Sequence, residues 1–154
     1  MERRGGGLTN KDIRISLYTD GAAKGNPGPA GIGIFMECDG VSLQEIGEYI
    51  GEATNNAAEY KALIRGMQLA HELKATRVDA FSDSELMVRQ LNGQYRVKTP
   101  GLKPLYNEAC DLRKSFEAFE IQHIPRSQNH EADRLANLGI QERRMASGPG
   151  DRAR

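Results

Sequence analysis

Four acidic residues stand where predicted strands and helices begin or end, and carboxylates gathered in one place can support metal chemistry. Asp20 closes the first predicted strand, Asp83 follows the fourth, and Glu59 and Asp133 lie near the first turns of two predicted helices. Carboxylates a few ångströms apart repel one another and raise each other's pKa values, and hard divalent cations such as Mg²⁺ relieve this repulsion. Two such ions, about 3.5–4 Å apart, can hold a phosphodiester for in-line attack by water without a serine or cysteine nucleophile.

Each of these acids also has an ordinary structural explanation. An acid near a helix start complements the helix dipole, and an aspartate after a strand commonly belongs to a turn. The functional interpretation therefore depends on convergence. Four separate elements would each deliver one acid to the same edge of one sheet.

The hydrophobic pattern predicts five strands and four helices. Ile13, Ile15 and Leu17 alternate with polar residues, as in a half-buried strand, and Asp39-Gly40 is typical of a two-residue hairpin turn. The predicted strands are 13–20, 31–38, 41–50, 77–82 and 120–124. Apolar residues at helical spacing predict helices from the cap Thr54-Asn55-Asn56 to about Lys74, over 84–92 and 103–119, and from a cap at Ser127 or Asn129 to about Gln141.

The order of these elements, βββαβααβα, predicts an α/β fold. The first three strands form an antiparallel meander, and the helices that connect strands 1, 4 and 5 require parallel pairing. We expect one mixed five-stranded sheet with order 3-2-1-4-5, strand 2 antiparallel, and helices on both faces. Because strands 1 and 4 are then parallel neighbours, Asp20 and Asp83 come to the same edge, where ligands bind in open α/β sheets.

The composition excludes several classes of protein. The 154 residues include 21 basic and 21 acidic side chains, so a polybasic binder is not expected. The two cysteines do not form a CxxC pair, which argues against a structural zinc site and suits a reducing cytoplasm. We expect a flexible leader over 1–12, one catalytic domain over 13–141 and a flexible tail over 142–154. We also expect a cytoplasmic monomer with no membrane association and no obligate protein partner.

Four segments, in this order, resemble type 1 ribonucleases H: Tyr18-Thr-Asp-Gly-Ala-Ala-Lys-Gly-Asn-Pro-Gly-Pro-Ala-Gly-Ile-Gly33, Thr54-Asn-Asn-Ala-Ala-Glu59, Phe81-Ser-Asp-Ser84 and Ala132-Asp-Arg-Leu-Ala-Asn137. The resemblance covers about residues 13–140 and implies an RNase H-like fold. It implies an endoribonuclease that hydrolyses the RNA strand of RNA/DNA hybrids, leaving 5′-phosphate and 3′-hydroxyl ends. It also implies two Mg²⁺ ions per site with substrate bound, with Mn²⁺ as the alternative, and a set of catalytic metal ligands that comprises Asp20, Glu59, Asp83 and Asp133.

The resemblance also implies contacts with the hybrid. Asn26, Asn55, Asn56 and Glu85 are similar to family residues that meet RNA 2′-hydroxyls, and Thr54 is similar to a residue in a pocket for a DNA-strand phosphate. Amide and carboxylate groups hydrogen-bond a 2′-hydroxyl, the group that distinguishes RNA from DNA. The asparagines are equally suited to turns and helix caps, and both roles are compatible.

The sequence departs from the family pattern in two places. Many members carry a histidine in the loop before the last acid, whereas here His130 is only three residues from Asp133 and the loop shows the Arg-x-x-Asn pattern of another branch, with Arg126 and Asn129. We expect Asn129, rather than His130, to contribute to the substrate site. The segment 93–103 is short and contains no Trp, which places the chain in the branch that lacks the basic protrusion. Arg96, Lys98 and Tyr95 would replace part of its hybrid-binding surface, in a stretch without acids from Arg89 to Lys103.

Two alternatives remain open from the sequence. The first is a catalytically weak domain that binds hybrids without turnover. The second is another nuclease of the same fold, because a fold does not determine a function. The asparagines near the 2′-hydroxyl positions favour the ribonuclease.

Overall fold

A computed structural model describes residues 12–146, with side chains as far as Glu142. The predicted leader and most of the predicted tail lie outside the described residues. The strands are β1 (Arg14–Ala23), β2 (Gly28–Cys38), β3 (Val41–Ala53), β4 (Arg77–Ser82) and β5 (Ala118–His123). The helices are α1 (Asn55–Glu72), α2 (Glu85–Leu91), α3 (Lys103–Arg113) and α4 (His130–Ala146), with a 3₁₀ turn over Arg126–Gln128.

The five strands form one mixed sheet with the order β3-β2-β1-β4-β5, which confirms the predicted topology. The meander β1–β2–β3 pairs antiparallel, whereas β1 with β4 and β4 with β5 pair parallel. The central strand β1 therefore has an antiparallel neighbour on one side and a parallel neighbour on the other. Near the carboxyl end of β1 the parallel pairing with β4 stops at Thr19, whereas the antiparallel pairing with β2 continues to Ala23.

The main core lies between the sheet and the first long helix. Leu17 of β1 is fully buried, and Leu63 and Met67 of α1 are buried with it. The predicted alternation in β1 is confirmed, since Ile15 and Leu17 have no exposed surface. On this face, a side chain at Gly66 would meet the Leu17 side chain, so the helix lies very close to the strand.

Helix α4 covers the opposite face of the meander at equally close range. A Cβ atom at Gly33 in β2 would collide with the carbonyl oxygen of Ala132, and one at Gly47 in β3 would collide with that of Leu135. These glycines allow helix backbone to lie directly on sheet backbone. The acid at the start of α4 is thereby brought down onto the sheet.

Several element boundaries differ from the predicted ones. Strand β1 does not stop at Asp20 but continues to Ala23, because Gly21, Ala22 and Ala23 still pair with β2. Helix α3 ends at Arg113 rather than at residue 119, because the chain turns there to bury Phe116 in the core. Strand β5 accordingly starts at Ala118, and α4 extends beyond Gln141 to Ala146. Within the described residues, no helix combines the length and the apolar character needed to cross a bilayer.

Candidate active site

Asp20 and Asp83 lie side by side, at the point where the parallel pairing of β1 with β4 ends. The last parallel pair of these strands is Thr19 with Ser82, so Asp20 and Asp83 are each the next residue along the chain. Asp20 is still inside β1, opposite Gly33 of β2, and this fixes its backbone on the antiparallel side. The predicted juxtaposition of Asp20 and Asp83 is present, although Asp20 does not end its strand.

Glu59 reaches the same place from helix α1. The helix begins at a cap in which Thr54 Oγ1 accepts a hydrogen bond from Ala57 N at 3.1 Å, which sets the position of its first turns. Gly21 N then donates to Glu59 Oε1 at 3.1 Å. A Cβ atom at Gly21 would collide with the backbone of Ala58, so glycine is needed for this approach of strand and helix.

Three carboxylates form one compact group. Asp20, Glu59 and Asp83 each offer an oxygen atom, and these atoms lie within 4.8 Å of one another. Asp20 and Glu59 are each only 5% exposed. Burial, followed by the charges of Glu59 and Asp83, raises the pKa of Asp20 to about 9, and burial followed by the charge of Asp83 raises the pKa of Glu59 to about 8.

Asp133 borders this group and is held by one cation, Arg126, and one side-chain amide, that of Asn137. Arg126 Nη2 donates to Asp133 Oδ1 at 2.9 Å, and the Asp133 side chain is 26% exposed. Asn137, one turn further along α4, donates from Nδ2 to the Asp133 carbonyl oxygen at 2.9 Å. The charge of Asp133 and a hydrogen bond with it add to the raised pKa of Asp20, so the fourth predicted acid lies next to the other three.

The chemistry of this donor set fits a hard divalent cation. Oxygen ligands of one Mg²⁺ ion stand about 2.0–2.1 Å from the metal, and such ions keep several waters, so a few carboxylates are sufficient. The three carboxylates are close enough to share one ion after small side-chain movements, and buried acids without a cation among them are costly to ionise. Asp20, Glu59 and Asp83 would hold the ion, with Asp133 available for a neighbouring one.

Asn129 lies directly before α4, where a helix cap was predicted, and its side chain makes a long-range contact with β1. It is 1% exposed, and its Nδ2 donates to the carbonyl oxygen of Thr19 at 3.0 Å. Among the described residues, Asn129 Oδ1 and the buried hydroxyl of Thr19 have no hydrogen-bond partner. The side chain therefore ties the start of α4 to the residue before Asp20, and its role as a substrate contact stays a prediction.

The other predicted contact residues form an exposed edge beside the acids. Asn26 Oδ1 accepts a hydrogen bond from Asn55 N at 3.0 Å, which fastens the β1–β2 connection to the start of α1. Asn55 lines a cleft of about 230 Å³ together with three of the acids, and Asn56 is exposed next to it. Glu85 is exposed at the start of α2, where its carboxylate accepts from Arg89 Nε at 2.9 Å.

Sequence reasoning missed Lys24 and Asn137, which also line this cleft. Lys24 Nζ donates to Asn137 Oδ1 at 3.1 Å, across 113 positions of the chain. Asn137 was visible only as the last residue of a matching segment, four positions after Asp133 and thus on the same face of α4. His130 is exposed, and the residues that line the cleft do not include it.

The sheet order and the acids at its edge define the class of the protein as one with an RNase H-like fold. A family model described as "Reverse transcriptase-like" matches residues 18–139. The chain belongs to the type 1 ribonuclease H family. It is 41% identical over 127 residues to "Bifunctional protein Rv2228c" of Mycobacterium tuberculosis, covering 81% of this chain and 35% of that protein. It is 39% identical over 128 residues to "Ribonuclease HI" of Halobacterium salinarum, covering 82% and 64% respectively.

Solved structures agree with this assignment. The RNase H1 of Halobacterium salinarum superposes with a TM-score of 0.82 at 38% identity, covering 84% of this chain and 98% of that one. LC11-RNase H1, isolated from compost by a metagenomic approach and solved in complex with an RNA/DNA hybrid, superposes with a TM-score of 0.79 at 42% identity, covering 83% and 97%. The chain spans about a third of the length of the first curated relatives that it matches, with 35% of their length covered.

Proposed function

We propose that this protein is an endoribonuclease that hydrolyses the RNA strand of RNA/DNA hybrids in a reaction that depends on Mg²⁺. The observation that carries the proposal is the group of three carboxylates at the edge of the sheet, with Asp133 beside it. The related LC11-RNase H1, at 42% identity, binds an RNA/DNA hybrid in its solved complex, which supports the same substrate class here.

The proposed roles follow from where each carboxylate lies. Asp20, Glu59, Asp83 and Asp133 would hold the divalent ions, which would supply Lewis acidity and an activated water. In the proposed hydrolysis, the water oxygen would bond to phosphorus and lose a proton while the bond to the 3′-oxygen breaks and that oxygen takes up a proton. The products would then carry 5′-phosphate and 3′-hydroxyl ends. The hydrogen bond from Gly21 N would hold the Glu59 carboxylate beside Asp20 during the reaction.

The exposed asparagines would select the RNA strand. Asn55 lines the same cleft as the acids, and Asn26 holds the backbone of Asn55 in place. A side-chain amide in this position can donate to or accept from a 2′-hydroxyl, a group absent from DNA. A hybrid would therefore be preferred to duplex DNA at this edge.

A second surface would hold the other strand. Leu86, Gln90, Tyr95, Arg96 and Lys98 line a groove of about 410 Å³ beside helix α2. Tyr95 is 49% exposed, with the Arg89 guanidinium 5.3 Å from the centre of its ring. Aromatic rings and basic side chains of this kind bind single strands by stacking and charge. This groove supports the proposed replacement of the missing basic protrusion.

The proposal is tested by cleavage of one end-labelled RNA strand, presented alone, paired with DNA and paired with RNA, with Mg²⁺ and with EDTA. We expect cutting only of the DNA-paired strand and only with Mg²⁺. Asp111→Asn changes an exposed acid on α3, away from the cleft, and is the matched control for Asp20→Asn. Hybrid binding without cutting would instead favour the binding-only domain, and cutting of duplex DNA would favour another nuclease.

A further inference from the structure

Lys24 is a basic residue on the wall of the acidic cleft, at the tip of the connection between β1 and β2. It lines the cleft together with Asp20, Glu59 and Asp83. Among the ion pairs of the described residues, none involves Lys24, although several carboxylates are near it. The other cation on this wall, Arg126, is already paired with Asp133 at 2.9 Å.

The Lys24 ammonium group is held in place by a neutral partner. Within the described residues, the Lys24 side chain makes one hydrogen bond, from Nζ to Asn137 Oδ1 at 3.1 Å. A lysine ammonium has three donors, so two remain for a ligand. Asn137 is itself oriented by the bond from its Nδ2 to the Asp133 carbonyl oxygen. The ammonium group is thus positioned beside the acids without being neutralised by them.

The segment that carries Lys24 is fastened at both ends. Lys24 N donates to Pro29 O at 2.8 Å, which closes the connection, and Asn26 Oδ1 accepts from Asn55 N at 3.0 Å. These bonds hold Lys24 and Asn55 in a fixed relation, and both residues line the same cleft. A strand whose 2′-hydroxyl met Asn55 would run along the cleft that Lys24 also lines, which would bring a backbone phosphate near the ammonium group.

We infer that Lys24 binds a backbone phosphate of the RNA strand close to the bond that is cut. This inference rests on the proposed function, since it assigns a phosphate contact within that site. A polyanion that approaches four carboxylates gains from a cation that is already in position and is not neutralised. Lys24 is then a substrate-binding residue that acts on affinity and on placement of the strand.

The first experiment measures hybrid binding by Lys24→Ala, Lys24→Gln and Lys24→Arg in EDTA, where no cutting occurs, over a range of salt concentrations. Loss of one phosphate contact reduces the slope of log affinity against log salt by about 0.9, which at roughly 0.1 M salt is about an eightfold loss. Lys24→Arg should keep most of the affinity because it keeps the charge. Lys114→Ala removes an exposed lysine beside Asp111 on another face and should bind like the wild type.

The second experiment locates the contact on one strand by replacing single phosphates with neutral methylphosphonates. We expect one position in the RNA strand at which neutralisation weakens the wild type but does not weaken Lys24→Ala further. An unchanged salt slope for Lys24→Ala, or such a position in the DNA strand only, would overturn the inference. Failure of the wild type to cut any hybrid would overturn the proposed function instead, because binding is measured without cutting.

Discussion

At the scale of single residues, the site is defined by acids that the protein buries together. Asp20 and Glu59 are each 5% exposed, and Gly21 N donates to Glu59. Folding brings these carboxylates together against their mutual repulsion. Asp20 and Glu59 should therefore lower the stability of the folded protein when no metal is bound. When metal is bound, they should determine its hydrolytic activity.

Asp20→Asn should abolish hybrid cleavage and stabilise the metal-free protein. The amide keeps the shape of the side chain but removes a metal ligand and one of the repelling charges. Cleavage assays in Mg²⁺ and thermal unfolding in EDTA measure the two effects. Asp111→Asn is the control for both. Residual cleavage at the wild-type rate would show that Asp20 is not a metal ligand.

The raised pKa values predict how the metal-free protein responds to pH. The pKa of Asp20 is about 9 and that of Glu59 about 8 in the folded chain, so the folded state binds more protons than the unfolded state between about pH 4 and pH 9. Stability from these groups is complete below their unfolded pKa values and is lost as pH rises through the folded ones. Melting temperatures in EDTA should fall over this window.

Two comparisons test that explanation. Asp20→Asn should flatten the fall of melting temperature with pH, because one of the two titrating groups is gone. Mg²⁺ should raise the melting temperature most at the alkaline end, where the carboxylates are ionised and bind metal. The same pH slope in Asp20→Asn as in the wild type would assign the effect to other groups.

At the scale of elements, the site depends on how closely helices approach the sheet. Helix α1 is bound to β1 through Gly21 and Glu59, and α4 is bound to β1 through Asn129. Much of this was predictable: the periodicity of β1 and α1, and the parallel pairing of β1 with β4, place Asp20 beside Asp83. The burial of Asn129 was not, because a cap and a long-range contact use the same residue type.

Asn129→Ala should slow turnover while leaving KM nearly unchanged. The variant loses the bond to the Thr19 carbonyl oxygen, which sets the start of α4 and hence Asp133 relative to Asp20. A small misplacement of this kind lowers kcat by about 10- to 100-fold. Asn92→Ala is the control, because it removes a bond to the Ile121 carbonyl oxygen at a site remote from the acids. An increase in KM with kcat unchanged would instead support the predicted role of Asn129 as a substrate contact.

The loop after α2 should contribute positive charge to hybrid binding but should not take part in the cleavage step. The double variant Arg96→Ala and Lys98→Ala should reduce the salt dependence of binding by a slope of about 1.8, from about 0.9 for each phosphate contact. The cleavage rate at saturating hybrid should stay close to that of the wild type. Fluorescence anisotropy at several salt concentrations measures the slope, and an unchanged slope would remove this groove from the binding surface.

At the scale of the whole molecule, the alternation of hydrophobic residues and the order of elements were enough to predict the sheet. The residues at which the helices and strands begin and end were less predictable. Helix α3 stops at Arg113 because Phe116 is needed in the core, and a helical pattern in the sequence does not show that need. Strand β1 continues beyond Asp20 because β2 begins at Gly28, before the predicted start at residue 31, and so offers β1 further pairing partners.

The close packing of α4 on the sheet predicts a large effect of one added methyl group. Gly33→Ala would bring a Cβ atom into the Ala132 carbonyl oxygen, whereas a Cβ at Gly101 has no atom within 4 Å. Overpacking of this kind costs about 1–3 kcal/mol, roughly 3–10 °C in Tm for a chain of this size. Thermal unfolding should show this loss for Gly33→Ala and almost none for Gly101→Ala. Equal melting temperatures would mean that α4 shifts easily.

The glycines beneath α4 also provide a way to recognise relatives that have lost the chemistry. Gly33 and Gly47 in the sheet and Gly139 in the helix are required by the approach of backbone to backbone, not by the acids. A chain could exchange every carboxylate of the cleft and still need small residues at these positions to keep the same architecture. Their spacing is therefore a marker of this architecture that is independent of activity.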